Sequence, residues 1–199
     1  MLGVISGKIS AGFARKGIIA EKDIEAYSYG FEILISEIIG WSIIAILMII
    51  LHKYYETLIF FGTYILIRIH AGGYHANSHL KCFLLFSISY VAIMLVGDII
   101  PVDVHSICVI GIAIINAIII YMLAPIEHKN NVHSAKVVER KRKYSVTYSS
   151  ILSIASIIFV FMKLGNVGLY IALTLLFADI SLLLAFLQKS NYIFSGRNE

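Results

Sequence analysis

Histidine and cysteine are concentrated in one short segment of this 199-residue chain. Between Arg68 and Cys82 the sequence reads Arg-Ile-His-Ala-Gly-Gly-Tyr-His-Ala-Asn-Ser-His-Leu-Lys-Cys, which holds three of the seven histidines and one of the two cysteines. A cysteine with a nearby histidine is the minimum set of groups for attack by a thiolate on a carbonyl carbon. The segment joins two apolar stretches, so it predicts a cysteine protease or acyltransferase at a membrane surface.

Cys82 is expected at the start of a helix. Asn77 and Ser78 are good N-cap residues just before an apolar run, which places Cys82 in or just beyond the first helical turn. In that position the positive end of the helix dipole and the neighbouring Lys81 favour a thiolate. Unpaired N–H groups at the same helix end suit the oxyanion of a substrate carbonyl.

The spacing leaves the identity of the base open. His79 and Cys82 are three residues apart and therefore neighbours on a helix face. His75 lies seven residues before Cys82, roughly 10 Å along a continuous helix, and reaches the sulfur only if the loop folds back over the helix start. Spacing alone slightly favours His79.

The composition predicts an all-α polytopic membrane helix bundle that forms a single domain over residues 1–199. The chain is 59% hydrophobic and 14% charged, whereas a soluble domain is nearer half apolar and a quarter charged. Residues 1–22 predict a basic amphipathic helix, because Leu2, Ile5, Ile9 and Phe13 recur at helical spacing; it either lies in the membrane interface or packs on the bundle as an ordinary first helix. About six transmembrane helices are predicted, at 31–51, 55–69, 82–100, 104–124, 146–162 and 167–188.

Basic residues predict the orientation of a multi-pass protein in the cell membrane. With the N-terminus in the cytoplasm, fourteen of the sixteen Lys and Arg residues lie inside, and only Lys53 and Lys163 lie outside. Both termini, the 70–81 loop and a basic 125–145 loop are then cytoplasmic. The basic run 136–143, which includes Lys141, Arg142 and Lys143, either sets the topology or binds anionic lipid headgroups or an acidic peptide. These loops account for the net charge of +4, so nucleic-acid binding is not predicted.

Two carboxylates and a second cysteine lie within the predicted spans. Glu37 is a candidate for pairing with Arg68 or for binding substrate, whereas Asp179 has no obvious basic partner and is expected to be protonated, hydrogen-bonded or facing a peptide path. For both carboxylates an interhelical hydrogen bond is the plainest role. Cys82 and Cys108 differ by roughly 20 Å in predicted depth, which is too far for a disulfide.

The His/Cys segment resembles the signature of the accessory gene regulator B family, membrane endopeptidases that process quorum-sensing prepeptides in Gram-positive bacteria. Ala124-Pro125 and the basic run ending Arg142-Lys143-Tyr144 are similar to the family's organisation as well. The matching positions of the segment are Arg68, His70, Ala71, Gly73, His75, Ala76 and Cys82.

The resemblance implies Cys82 as the nucleophile and His75 as the base, with Arg68 and Gly73 as supporting residues and His79 as a bystander. It further implies that a short amphipathic prepeptide loses its C-terminal tail, is held as a thioester on Cys82 and is closed into a thiolactone or lactone. A homodimer in an anionic bilayer and no metal or other cofactor are also implied.

Two other interpretations remain open. His70, His75, His79 and Cys82 offer imidazole and thiolate ligands for a zinc-dependent membrane hydrolase or a metal transporter, although the chain has no His-Glu-x-x-His motif. Alternatively, the protein is a non-enzymatic membrane scaffold whose loop histidines only lie at the interface.

Overall fold

The fold is a set of helices, as the composition predicts. The computed structural model describes residues 2–74, 79–126 and 134–195, and only the backbone of Leu2, Glu37, His79, Leu80 and residues 191–195. The described residues contain one isolated bridge, between Gly72 and Ile126, and no longer strand. Their helices are α1 (Leu2–Arg15), α2 (Ile24–Leu51), α3 (Tyr54–Ala71), α4 (His79–Ile99), α5 (His105–Leu123), α6 (Ala135–Phe161) and α7 (Gly165–Ser195).

Five helical segments in the described part of the chain are long and apolar enough to cross a bilayer, which confirms a helical membrane bundle. They are Glu21–Leu51, Lys81–Ile99, Val102–Leu123, Ala135–Phe161 and Gly165–Ser190. The remaining predicted span, 55–69, is helix α3. It is less apolar because Glu56, Arg68 and His70 lie near its ends. Its 18 residues extend over about 27 Å, close to the thickness of the hydrocarbon core.

The helices extend into both segments that were predicted as loops. Helix α3 continues to Ala71 and α4 begins at His79, so the 70–81 segment is helical at both ends. Helix α6 begins at Ala135, and the basic run forms its first turns rather than part of a 125–145 loop. The physical reason is that Lys, Arg and Glu are good helix formers, and a helix that enters the membrane continues into water without losing backbone hydrogen bonds.

The chain forms two compact units, and the first contains α1, α2 and α4 as far as Ser87. Helix α1 packs on α2 through small side chains: Ser6 is fully buried, with its Oγ 3.3 Å from Ser28 Oγ. Phe13 stacks on Phe31 with ring centroids 5.5 Å apart. Ile5, part of the predicted apolar stripe, is 48% exposed. Packing on the bundle, one of the two predicted placements of this helix, is therefore observed within this unit.

The second unit contains α3, the later part of α4, and α5 to α7. Helix α7 is its central helix, since 67% of the most apolar stretch of α7 is buried. The core side chains come from α3, from α5 and the residue that follows it, and from α7: Ile67, Ala71, Ile120, Ala124, Ile171, Leu175, Ala178 and Leu182.

A polar cluster crosses the interior of this second unit. Asn116 Nδ2 donates to Asp179 Oδ1 at 2.9 Å, and Asn116 Oδ1 accepts from the hydroxyls of Ser149 and Ser153, the latter at 3.2 Å. All four side chains are buried, and Asp179 Oδ2 has no partner among the described residues. Of the roles predicted for Asp179, the interhelical hydrogen bond is confirmed.

Contacts at the two ends of the second unit place α3 alongside the other helices. At one end Lys53, just before α3, pairs with Asp98 near the end of α4, and Asp98 accepts a hydrogen bond from Tyr170 near the start of α7. At the other end Ala71 O, in the last residue of α3, accepts from the N–H of Ile126, which follows α5. Helix α3 therefore lies alongside other helices of the second unit at both of its ends.

Candidate functional site

The chain leaving α3 is held by two helices of the second unit at Tyr74. Arg68, in the last turn of α3, donates from Nη2 to the Tyr74 carbonyl oxygen at 2.7 Å. The Tyr74 N–H donates both to the Ser181 carbonyl oxygen of α7 at 3.0 Å and to Ser181 Oγ at 3.1 Å. Both backbone polar groups of Tyr74 are thus paired. We call Arg68, Tyr74 and Ser181 the Tyr74 clamp.

The clamp requires glycine at position 73. Gly73 is buried at φ 141°, a conformation that side chains with a Cβ rarely adopt. A Cβ here would overlap Arg68 Nη1 and lie 2.7 Å from Ser181 Oγ. Gly72 is similarly confined, because a Cβ there would overlap the carbonyl oxygen of Ile126. The two glycines let α3, α7 and the chain after α5 approach one another at backbone distance.

Cys82 is the fourth residue of α4, as predicted from the capping residues. Its thiol is free and partly exposed, and Cys108 is also free. The N–H groups of the first helical turn have no carbonyl partner within the helix. The next residue, Phe83, packs on Gly40 of α2, where a Cβ would lie 3.1 Å from the ring. Packing on α2 therefore fixes the helix face beside the thiol.

Several predicted site groups lie outside the described residues. These include all of His75, Asn77 and Ser78, and the side chains of Glu37 and His79. The choice of His75 or His79 as base and the pairing of Glu37 with Arg68 consequently stay predictions. Along the backbone, Glu37 is one turn before Gly40 in α2.

His70 lies in an aromatic environment. Its ring stacks on Tyr148 of α6 with centroids 5.0 Å apart, and Tyr144 lies at 5.3 Å on a tilted plane. Across residues 2–74, 79–126 and 134–195, no group of three His, Cys, Asp or Glu side chains is placed to hold a metal. The zinc interpretation also needs His75 and His79, so it stays a prediction.

The basic run lies at the same end of the second unit as the Tyr74 clamp. Arg142 is exposed, lies over the Tyr121 ring at 5.7 Å and donates to the Tyr121 carbonyl oxygen at 3.4 Å. Lys143 is exposed as well, whereas Lys141 is half-buried and its carbonyl oxygen accepts from Ser145. Arg142 and Lys143 therefore present positive charge beside the end of α5.

The first unit also carries an open groove of about 500 Å³ that does not include Cys82. Its lining includes the carboxylates of Glu21, Glu25 and Glu32. An acidic groove is poorly matched to an acidic peptide tail, in contrast to the basic run on α6.

Sequence reasoning missed Tyr74, Ser181 and Ile126. The one local sign was Ser181 itself, a polar residue in the apolar stretch of α7 two positions after Asp179. Its partner Tyr74 is 107 residues away, and no periodicity in either segment links the two.

Long apolar helices in a polar-cored bundle, with a free thiol in the first turn of one of them, define a multi-pass membrane protein. The family model described as Accessory gene regulator B matches residues 6–186, and the chain belongs to this family. The resemblance stated from the sequence is therefore confirmed.

Three curated relatives named Accessory gene regulator protein B, all from Staphylococcus epidermidis, are 31% identical to the chain over 117 residues. The match spans 59% of this chain and 59% of the length of these relatives. No solved structure matches the chain.

Proposed function

We propose that the protein is a membrane cysteine endopeptidase that removes the C-terminal tail of a short autoinducer prepeptide and promotes its cyclisation. The observation that carries the proposal is the free, partly exposed thiol of Cys82 in the first turn of α4. A helix N-terminus supplies backbone donors for an oxyanion, and a thiol at that position is suited to acyl transfer.

In the first step the Cys82 sulfur attacks the scissile carbonyl carbon while His75 takes the thiol proton. The carbon–nitrogen bond then breaks, His75 gives the proton to the leaving amine, and the tail departs. The rest of the prepeptide stays on Cys82 as a thioester. In the second step an internal thiol or hydroxyl of the peptide attacks that carbonyl, its proton passes through His75 to the Cys82 sulfur, and a thiolactone or lactone is released. Arg68 and Gly73 support the reaction through the clamp at Tyr74.

The proposal extends to orientation and partners. The basic end of the second unit faces the cytoplasm, since basic flanks are retained on that side. There the exposed Arg142 and Lys143, together with Lys141, meet the acidic tail of an amphipathic prepeptide or anionic headgroups. Glu37 is kept as a substrate-binding candidate on α2, and the protein works as a homodimer in the cell membrane with both termini in the cytoplasm.

Intact-protein mass spectrometry tests the reaction. Protein reconstituted in anionic liposomes is mixed with a cysteine-containing candidate prepeptide, and the expected product is a hydroxylamine-labile adduct of the peptide without its tail. Cys82→Ala and His75→Ala should lose the adduct, and His79→Ala should keep it. Cys108→Ser is the matched control, because it removes the other free thiol and should leave the adduct unchanged.

Cleavage that persists in Cys82→Ala would refute the mechanism. Loss of the adduct in His79→Ala with retention in His75→Ala would exchange the roles of the two histidines. A chelator should have no effect, and loss of cleavage on chelation with recovery on adding Zn²⁺ would favour the zinc interpretation.

A further inference from the structure

Within the Tyr74 clamp, Ser181 accepts hydrogen bonds from the Tyr74 N–H, whereas Arg68 donates to the Tyr74 carbonyl oxygen. The carbonyl oxygen and the hydroxyl of Ser181 both accept from the Tyr74 N–H, at 3.0 and 3.1 Å. Ser181 is 9% exposed and lies on α7, the most buried helix of the second unit. A hydroxyl on a rigid, buried helix is a well-fixed point from which to hold a loop.

The clamp acts on the residue just before His75. The Tyr74 carbonyl belongs to the peptide unit whose nitrogen is that of His75, and Arg68 holds this carbonyl oxygen at 2.7 Å. Ser181 holds the preceding peptide unit through the Tyr74 N–H. The two peptide units on either side of Tyr74 are thus both held, and Gly73 is confined between Arg68 and Ser181. The direction in which the backbone leaves Tyr74 is therefore determined by α3 and α7.

We propose that Ser181 is a positioning residue, which sets the direction of the His75 segment by accepting the Tyr74 N–H. The inference rests on the proposed function, in which His75 is the base. In this role Ser181 acts through the backbone of Tyr74. Misplacing a base by about 1 Å costs up to a hundredfold in rate, so losing one of the two acceptors is expected to slow acylation about tenfold.

The variant pair Ser181→Ala and Thr174→Val isolates this contact. Thr174 lies two turns earlier on α7 and is fully buried, and among the described residues its hydroxyl bonds only to the Tyr170 carbonyl oxygen of its own helix. Both variants remove one buried hydroxyl from the same helix, and only the first removes a bond to the loop. Ser181→Ala keeps the carbonyl acceptor, so it should remain folded and monodisperse in size-exclusion chromatography.

Three measurements on the reconstituted full chain test the inference. In Ser181→Ala, thioester formation at saturating prepeptide should fall about tenfold with KM within twofold, and Ser181→Thr should recover the rate. Alkylation of Cys82 by iodoacetamide across about pH 5–9 should shift in the direction seen for His75→Ala. Deuterium uptake in peptides that contain Tyr74 should rise, because its amide has lost one acceptor. Thr174→Val should leave all three readouts unchanged.

The alkylation experiment needs no prepeptide and separates the two failures. A wild-type profile in His75→Ala would remove the proposed base and with it the proposed function. A changed profile in His75→Ala with Ser181→Ala and Thr174→Val equal to wild type would overturn the positioning role alone. Unchanged deuterium uptake at Tyr74 in Ser181→Ala would overturn it as well.

Discussion

Replacing Asn116 by Leu should destabilise the second unit, because one side chain joins three helices there. Asn116 on α5 donates to Asp179 on α7 and accepts from Ser149 and Ser153 on α6. Leucine has the same branched arrangement of side-chain heavy atoms as asparagine, with bulkier methyl groups, but offers neither donor nor acceptor. The substitution leaves the buried carboxyl of Asp179 without a hydrogen-bond partner among the described residues, whereas each serine hydroxyl can turn to a carbonyl of its own helix.

The expected loss is about 2–4 kcal/mol. Hydrogen bonds inside membrane bundles average about 0.6 kcal/mol, so three of them give about 2 kcal/mol. An unsatisfied buried polar group costs about 1–3 kcal/mol, which sets the upper figure. If the carboxyl and the amide depend on each other, Asn116→Leu combined with Asp179→Leu should cost about 1–2 kcal/mol less than the sum of the two single changes.

Equilibrium unfolding in mixed micelles of the wild type, both single variants and the double variant measures this coupling. Thr174→Val is the control for a buried hydroxyl bonded within one helix and should cost less than about 1 kcal/mol. Additive single costs would refute the idea that this polar cluster joins the helices as one unit. A double variant less stable than the sum would refute it too.

Three further changes have defined outcomes. Gly73→Ala should reduce thioester formation at least tenfold in the adduct assay, because its Cβ overlaps the Arg68 guanidinium; unchanged rates would contradict the clamp. His70→Phe should keep thermal stability and activity, whereas His70→Ala should lose about 1 kcal/mol of stacking on Tyr148; loss of activity in the phenylalanine variant would argue for a ligand role. Burial is the largest single influence on the pKa of Lys53 and lowers it, but the hydrogen bond to Asp98 and the charges of Tyr170 and Asp98 together outweigh burial and raise that pKa above 10.5. The Lys53–Asp98 pair therefore contributes its full stability below pH 10.5 and loses it as the pH rises through the raised pKa of Lys53. The difference in melting temperature between the wild type and Lys53→Met should shrink only at strongly alkaline pH.

Hydropathy predicted the helices better than it predicted their packing. The predicted spans 82–100 and 104–124 end within one residue of the observed ends of α4 and α5, each of which is followed two residues later by a proline, which cannot continue a helix. The packing face of α1 was found only in part, because its contact with α2 uses Phe13 of the predicted stripe together with the fully buried Ser6, and not the apolar Ile5. Small residues let helices approach closely, and a hydropathy pattern does not register this.

The helical position of Cys82 could be predicted from the sequence, but the contacts that hold Tyr74 could not. The position of Cys82 in the first turn of α4 followed from local capping residues. The sequence did not predict that Arg68 binds the Tyr74 carbonyl oxygen, or that Ser181 accepts from the Tyr74 N–H. The first contact joins residues six positions apart and the second joins residues 107 positions apart; both involve the backbone of Tyr74, so neither produces a recognisable pattern of residue types or spacing in the sequence.

The pairing of Tyr74 with Ser181 sets an order of events during biosynthesis. The two residues are 107 positions apart, and at about 5–20 residues per second the ribosome adds Ser181 roughly 5–20 s after Tyr74. Throughout that interval the Tyr74 amide lacks its native acceptor, even with α3 already inserted. The insertion of α7 therefore completes the Tyr74 clamp, and a nascent chain still short of this helix already carries the Cys82 thiol before the clamp has formed.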